Sequence, residues 1–294
     1  MPTPKRNTSD TFENRIFFGD ARNMKELPKE SVHLIITSPP YYNVKNYALD
    51  GYQRLKTNTK SRAQIGDIKD YDEYIKEMLV VWKECTRVLK PNGKLIINTP
   101  LMPIPKASYN GHHTRHIFNI ASDIENSILK KIKKIYLYDV FIWNRTNPRK
   151  ALMFGSYPYP RNFYAQNTIE FVSVFVKDGK PENDLTQKIK KQSKLTKEEW
   201  VNFTKQVWNI PVPNKKDLAF GKHCAIMPEE IVERCVRLFS YVDDVVLDPF
   251  TGSGTTLKIA KKWGRKYVGY ETVKSYSKVI NAKLKQAEKH DELK

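Results

Sequence analysis

The sequence predicts an α/β protein built around one doubly wound, mostly parallel sheet. Short apolar, β-rich runs alternate with segments whose apolar residues recur at helical spacing, the pattern of successive βαβ units. The two stretches with the strongest turn chemistry, Ser38-Pro39-Pro40-Tyr41 and Gly252-Ser253-Gly254, each follow an apolar run directly. Open α/β sheets collect their ligands at such strand ends. With 294 residues, 40% of them hydrophobic, the chain suffices for one large domain with a full core.

In chain order, Arg15 to Phe18 and Val32 to Thr37 read as buried strands bounded by turn residues. From Tyr71 to Leu89 the residues Ile75, Met78, Leu79, Trp82, Cys85 and Leu89 fall at helical spacing, and Pro91-Asn92-Gly93 ends that helix before a strand from Lys94 to Asn98. Tyr136 to Trp143 and Thr168 to Val176 are further strands, separated by a basic, aromatic-rich loop. Between Lys177 and Lys222 the periodicity fades and Lys, Asn and Pro accumulate. It then returns as a helix from Pro228 to Phe239, a strand from Val245 to Asp248, the glycine turn, a helix from Thr255 to Trp263, a strand from Tyr267 to Tyr270 and a last helix from about Val273. This divides the chain into 1–176, 177–222 and 223–294, the outer parts belonging to one domain.

A net charge of +19 calls for a polyanionic partner, because Lys and Arg neutralise phosphates whatever sequence is bound. Charge alone leaves DNA, RNA and acidic membranes open. Cys85, Cys224 and Cys235 show no ligand-like spacing, so neither a disulfide framework nor a metal site is expected. No signal-like run opens the chain, and no stretch approaches the roughly 18 to 20 apolar residues that span a bilayer. A soluble cytoplasmic protein without a membrane partner is the expectation.

Val245 to Asp248, followed by Pro249-Phe250-Thr251-Gly252-Ser253-Gly254-Thr255, is an apolar strand running through a tight glycine turn into a helix. Glycine lets backbone approach a ligand, and the helix start offers free N–H groups. The stretch is neither a P-loop nor a full dinucleotide fingerprint. One helix later the strand Tyr267 to Tyr270 ends in Glu271, a carboxylate placed for the hydroxyls of a ribose. Alone, such a turn is an ordinary βα connection; with Glu271 it reads as a nucleoside-cofactor site. In Ser38-Pro39-Pro40-Tyr41 two prolines remove N–H donors, so the carbonyls of Ser38 and Pro39 can face a ligand. An acceptor-rich pocket with an aromatic lid suits an exocyclic amine on a planar ring, Tyr41 stacking on that ring. Read more simply, the prolines stop a strand.

Together these motifs resemble the amino-group DNA methyltransferases that use S-adenosylmethionine. Because Ser38 precedes Gly252, the order is similar to the permuted β group; protein glutamine methyltransferases place the cofactor motif first. The resemblance spans about Arg15 to Lys285 and implies a Rossmann-like sheet of the class I methyltransferase type with a small target-recognition insertion at 177–222. It implies a catalytic turn of Ser38, Pro39, Pro40 and Tyr41. It implies cofactor contacts from Asp248, Phe250, Thr251, Gly252, Gly254 and Thr255, with Glu271 on the ribose and Asp20 near the adenine. The segment His223 to Pro228 resembles the stretch that packs against the methionine moiety, with Cys224 where relatives have proline.

The implied reaction is direct attack by a flipped base's amine on the sulfonium methyl, Ser38 and a proline-turn carbonyl drawing the amine's lone pair out of the ring. Serine before Pro-Pro-Tyr is typical of enzymes acting on the N4 amine of cytosine; the N6 amine of adenine is the alternative. Double-stranded DNA is the implied partner, and the resemblance leaves room for a cognate restriction endonuclease and a homodimer. A binding protein without turnover, and methylation of RNA or protein, are the readings from other classes. For DNA contact the candidates are Lys45, in the basic segment after the catalytic turn, and Arg145, Arg149, Lys150 and Arg161 in the loop Asn144 to Asn167, where basic residues interleave with aromatics. The run Lys188, Lys190, Lys191 and Lys194 could meet phosphates or be a solvated face.

Overall fold

The computed structural model describes residues 12–42, 65–105, 115–146, 156–163, 165, 167–181, 185–223 and 225–291. Its strands are β1 (Arg15–Phe17), β2 (Val32–Thr37), β3 (Leu89–Pro100), β4 (Met102–Pro105), β5 (Arg115–Phe118), β6 (Ile135–Arg145), β7 (Ile169–Lys177), β8 (Val207–Ile210), β9 (Val245–Asp248) and β10 (Lys266–Tyr270). The helices are α1 (Tyr71–Val88), α2 (Ile120–Lys131), α3 (Gln187–Gln192), α4 (Lys197–Phe203), α5 (Glu229–Phe239), α6 (Thr255–Lys262) and α7 (Ser277–Asp291).

Eight strands form one sheet in the order β1-β10-β9-β2-β3-β7-β6-β8, while β4 and β5 pair as a small hairpin. All neighbours run parallel except where β7 inserts antiparallel between β3 and β6. The expected mostly parallel α/β sheet is therefore present. Its central strands β2 and β9 are buried along nearly their whole length, as cover by helices on both sides requires. Ile35, Leu247 and Val268 enter the core beneath α1 and α2, whereas Leu34, Ile36 and Val246 enter the core beneath α5 and α6.

The α1 helix begins where the Asp70 carboxylate accepts from the Glu73 amide at 2.8 Å, and it buries Tyr74, Met78, Val81, Trp82 and Cys85 against the sheet. Pro91-Asn92-Gly93 lies inside β3 instead of preceding it. Leu89 pairs with Val32 but Lys94 with Leu34, so the turn is absorbed as a bulge, with Asn92 at φ +60°. The faded segment carries regular elements too: α3 and α4 are short, and β8 adds an edge strand to the main sheet. Trp208 of β8 is fully buried and stacks on Phe141 at 4.5 Å, and Glu199 of α4 chelates Arg237 of α5 with two 2.9 Å bonds. Short connections and few apolar positions explain why no period betrays them.

Adjacent strands β2 and β9 send their crossovers in opposite directions. From β2 the chain passes through α1 to β3; from β9 it passes through α6 to β10, on the other face. The crevice beyond their carboxyl ends is the topological switch point of the sheet.

Candidate active site

Both motifs meet at that crevice. Thr37 ends β2 and Asp248 ends β9, and the Thr37 hydroxyl donates to Asp248 Oδ1 at 2.8 Å. The Phe250 amide donates to the same oxygen at 3.0 Å, folding Pro249 and Phe250 back over the strand end. Burial pushes the Asp248 carboxyl up to about 6, against the hydrogen bonds from Thr37 and Phe250 that favour its charge.

Two glycines set the cofactor-type turn. Gly252 takes φ +50°, and a Cβ there would stand 2.7 Å from His223 Nε2. Gly254 takes φ +84° and caps α6, pressed against Ile280. Only glycine meets both demands at low cost. Glu271, at the end of β10, accepts from the amides of Gly252 and Val273, each at 2.8 Å. Burial, and secondarily the charge of Asp248, holds its carboxyl above the usual range. His223 Nδ1 accepts from the Ala225 amide at 3.3 Å, and burial drives the imidazole down to about 4, so it is neutral near pH 7.

The turn after β2 forms the opposite wall. Ser38 Oγ lies 2.5 Å from the Tyr41 hydroxyl, and the Tyr74 hydroxyl donates to the Pro40 carbonyl at 3.1 Å. Tyr41 is only 6% exposed, its ring packed in the core under α1 and its hydroxyl turned back to Ser38. It still lines the crevice together with Ser38, Pro39 and Pro40. Behind it lie two polar residues the sequence reading missed, Asn98 of β3 and Glu170 of β7, joined by a 2.7 Å bond. A carboxylate inside the apolar run Ile169–Lys177 was the available signal.

All the cofactor-site candidates except Gly254, which caps α6 beside it, line this one crevice: Asp20, Asp248, Phe250, Thr251, Gly252, Thr255 and Glu271. Arg22 chelates the Asp20 carboxylate and also pairs with Glu77. Burial opposes ionisation of Asp20, but the Arg22 hydrogen bonds outweigh it and its pKa falls. Among the described residues the lining holds four carboxylates, Asp20, Asp67, Asp248 and Glu271, and no Lys or Arg. In a chain of net charge +19 that reversal of sign is selective. It favours a cation that also carries hydroxyls and disfavours phosphates.

Of the DNA-contact candidates, the two described, Arg145 and Arg161, do not line the crevice. Lys45, Arg149 and Lys150 lie outside the described residues. Arg145 is turned inward: its Nε donates to the Thr168 carbonyl at 3.3 Å, it also donates to the Asn167 carbonyl, and Nη1 stands 3.8 Å from Glu170 Oε1. Arg161, at φ +80°, sits in a loop whose Tyr157, Tyr159 and Phe163 are about 70% exposed or more. Among the described residues no His/Cys/Asp/Glu group could hold a metal, and no helix is long and apolar enough to cross a membrane.

Sheet order and crevice define an open α/β protein with a ligand site at its switch point, and comparison with known proteins makes the class specific. The chain belongs to the N6/N4 family of DNA methylases, whose family model matches residues 32–282. It is 32% identical to the type II methyltransferase M.MjaI of Methanocaldococcus jannaschii, over 93% of this chain and 92% of that protein. It is 30% identical to M.HinfI of Haemophilus influenzae, over 96% and 71% of the two. A Thermus thermophilus protein described as a DNA modification methylase, crystallised with S-adenosyl-L-methionine, superposes with a TM-score of 0.70 at 28% identity, covering 93% of this chain and 94% of that one. The cytosine-N4-specific PvuII DNA methyltransferase shares the fold, with a TM-score of 0.64 at 18% identity over 95% and 91% of the two chains.

Proposed function

We propose that this chain is a permuted, β-group DNA methyltransferase that transfers the methyl group of S-adenosylmethionine to the exocyclic N4 amine of a cytosine flipped out of duplex DNA, in a restriction-modification setting with a cognate endonuclease. The observation that carries the reading is the acidic crevice opening onto Ser38. S-adenosylmethionine is a sulfonium cation with a ribose and no phosphate, and the lining fits it on each count. When bound, it supplies an electrophilic methyl group.

The chain's own residues do the rest. Glu271 and the Gly252-Ser253-Gly254 turn hold the ribose and the adjoining chain. Asp248, Phe250, Thr251, Gly254 and Thr255 shape the methionine end, the Asp248 carboxylate facing the cation, and Asp20 bounds the adenine end. Ser38 Oγ and the Pro39 carbonyl accept the two N–H hydrogens of the target amine and localise its lone pair toward the methyl group. Pro40, pinned by Tyr74, keeps the turn rigid, and the Tyr41 ring edge bounds the base pocket. Positioning of amine and methyl supplies much of the rate. Base flipping is required because an amine inside the duplex cannot reach a turn at the crevice. Serine at the head of the turn favours cytosine over adenine. Lys45, Arg149, Lys150 and Arg161 are assigned to the DNA backbone, and 177–222 to target recognition.

The test is to incubate the protein with unmethylated plasmid and S-adenosylmethionine, hydrolyse the DNA to nucleosides and identify the product by mass spectrometry. N4-methylcytosine is the expected outcome. N6-methyladenine overturns the base assignment, and cofactor binding without either product overturns the DNA substrate.

A further inference from the structure

Among the described residues, Glu170 is a buried carboxylate that touches the catalytic turn without itself lining the crevice. It stands on β7, the reversed strand, and is 5% exposed. Three groups from different elements surround it. Asn98 Nδ2 of β3 donates to Oε2 at 2.7 Å, the Tyr41 hydroxyl donates to the same oxygen at 3.3 Å, and the Arg145 guanidinium of β6 lies 3.8 Å from Oε1. Tyr41 then reaches Ser38 Oγ at 2.5 Å, with Asn98 Nδ2 at 3.4 Å on its other side.

The hydrogen inventory gives this chain a direction. An ionised carboxylate only accepts and an amide NH2 only donates. Because a charged carboxylate is a stronger acceptor than a neutral hydroxyl, the single Tyr41 hydrogen goes to Glu170 and the Tyr41 oxygen is left as an acceptor. At 2.5 Å, Ser38 and Tyr41 cannot both present lone pairs to each other, so the Ser38 hydrogen points at Tyr41. Ser38 Oγ is left with lone pairs for a donor approaching from the crevice, as an amine N–H would.

We propose that Glu170 is a positioning residue for methyl transfer: acting through Tyr41, it fixes the Ser38 hydroxyl as a hydrogen-bond acceptor toward the target amine. This rests on the role given to Ser38 above. Arg145 and Asn98 keep the carboxylate charged, against a burial that holds its pKa above the usual range. Protonation would let Glu170 donate to Tyr41, and Ser38 could then turn its own hydrogen toward the amine, opposing two N–H donors with a third.

The test compares Glu170→Gln, Tyr41→Phe and their double variant with wild type, at saturating S-adenosylmethionine and DNA. Glutamine keeps the volume but can present NH2 to Tyr41. In Glu170→Gln we expect kcat to fall about tenfold, the cost of one misdirected hydrogen bond, with KM for both substrates within about twofold. Wild type should lose kcat on the acid side at a pH above the ordinary carboxylate range, and both single variants should lack that limb. On a Tyr41→Phe background the Glu170→Gln change should add less than about twofold, since its route is already cut. A wild-type kcat and pH profile in Glu170→Gln, or equal losses on both backgrounds, overturns the assignment in favour of a packing role. Should Glu170→Gln fail to fold, Tyr41→Phe decides alone, because retention of the acidic limb there refutes the relay. A wild-type protein that transfers no methyl group to DNA overturns the reading of Ser38, and this assignment with it.

Discussion

The hydroxyl of Thr37 donates to the carboxylate of Asp248 at 2.8 Å inside the sheet, tying the strand that ends in the Ser38-Pro39-Pro40-Tyr41 turn to the strand that ends in the Gly252 turn. Both residues are buried, at 0% and 3% exposure. Thr37→Val keeps the shape but leaves Asp248 Oδ1 with one fewer donor. The expected cost is about 1–3 kcal/mol of stability, read by urea denaturation. S-adenosylmethionine binding should weaken in parallel, because the carboxylate loses a bond that favours its charge. Unchanged affinity by calorimetry would separate this link from the cofactor site.

Asp248 also gives the crevice a pH dependence of known sign. Burial raises its carboxyl to about 6, and only the ionised form attracts a sulfonium. Affinity for S-adenosylmethionine should therefore rise with pH through about 6 and level off above, each tenfold step corresponding to about 1.4 kcal/mol. Asp248→Asn should bind weakly and without that inflection. A flat wild-type profile between about pH 5 and 7.5 would place the cation elsewhere.

The strand ends were legible because the signals there are local. Val32 to Thr37 and Val245 to Asp248 are apolar runs halted by proline or glycine, and the structure reproduces both bounds. Glu170, Asn98 and Tyr74 were not legible, because what brings them to the turn after β2 is that β7 inserts antiparallel beside β3 and that α1 lays Tyr74 over Pro40. Neither follows from spacing along the chain. The same holds for Tyr41: its ring suggested a stacking lid, but nothing along the chain shows that its hydroxyl lies 2.5 Å from Ser38 Oγ. Arg145 looked like a phosphate ligand from its basic, aromatic neighbours, yet the nearest acid in space is the buried Glu170. Between Lys177 and Lys222 the strand that joins the sheet has four residues, Val207–Ile210, too few to establish a period.

Gly252→Ala tests the cofactor turn. Alanine must take φ +50° and place a Cβ 2.7 Å from His223 Nε2, so the imidazole has to move away from the turn. Left-handed backbone costs about 1–2 kcal/mol for a residue with a Cβ. We expect a loss of that size in thermal or urea unfolding and at least tenfold weaker S-adenosylmethionine binding. Gly221→Ala, at φ +76° but with open space around it, is the control: similar backbone strain with cofactor affinity retained.

The exposed loop with Tyr157, Tyr159 and Phe163 should matter to DNA alone. Tyr159→Ala should weaken duplex binding by about 1–3 kcal/mol if its ring stacks on a base. Arg161→Ala should lower the slope of log affinity against log salt by about one unit, the signature of one lost phosphate contact. Both should leave S-adenosylmethionine binding unchanged, which filter binding and calorimetry can check side by side.

Lys283 bears on how the cofactor turn is held from behind. Its ammonium is 1% exposed and meets Asp217 at 3.1 Å, Thr255 Oγ1 at 2.9 Å and Ser253 Oγ at 3.3 Å. One buried cation thus joins α7, the segment before His223 and the start of α6. Burial lowers its pKa, and the Asp217 charge counters that by favouring the ammonium. Lys283→Met leaves Asp217 without its cation and should cost about 3–5 kcal/mol, because an uncompensated buried charge costs more than the pair contributes. Adding Asp217→Leu removes the stranded carboxylate and should restore much of the stability. Affinity for S-adenosylmethionine should stay reduced in the double variant, since the hydroxyls of Ser253 and Thr255 remain untethered. Recovery of both stability and affinity would show that Lys283 serves the packing of α7 and not the geometry of the turn.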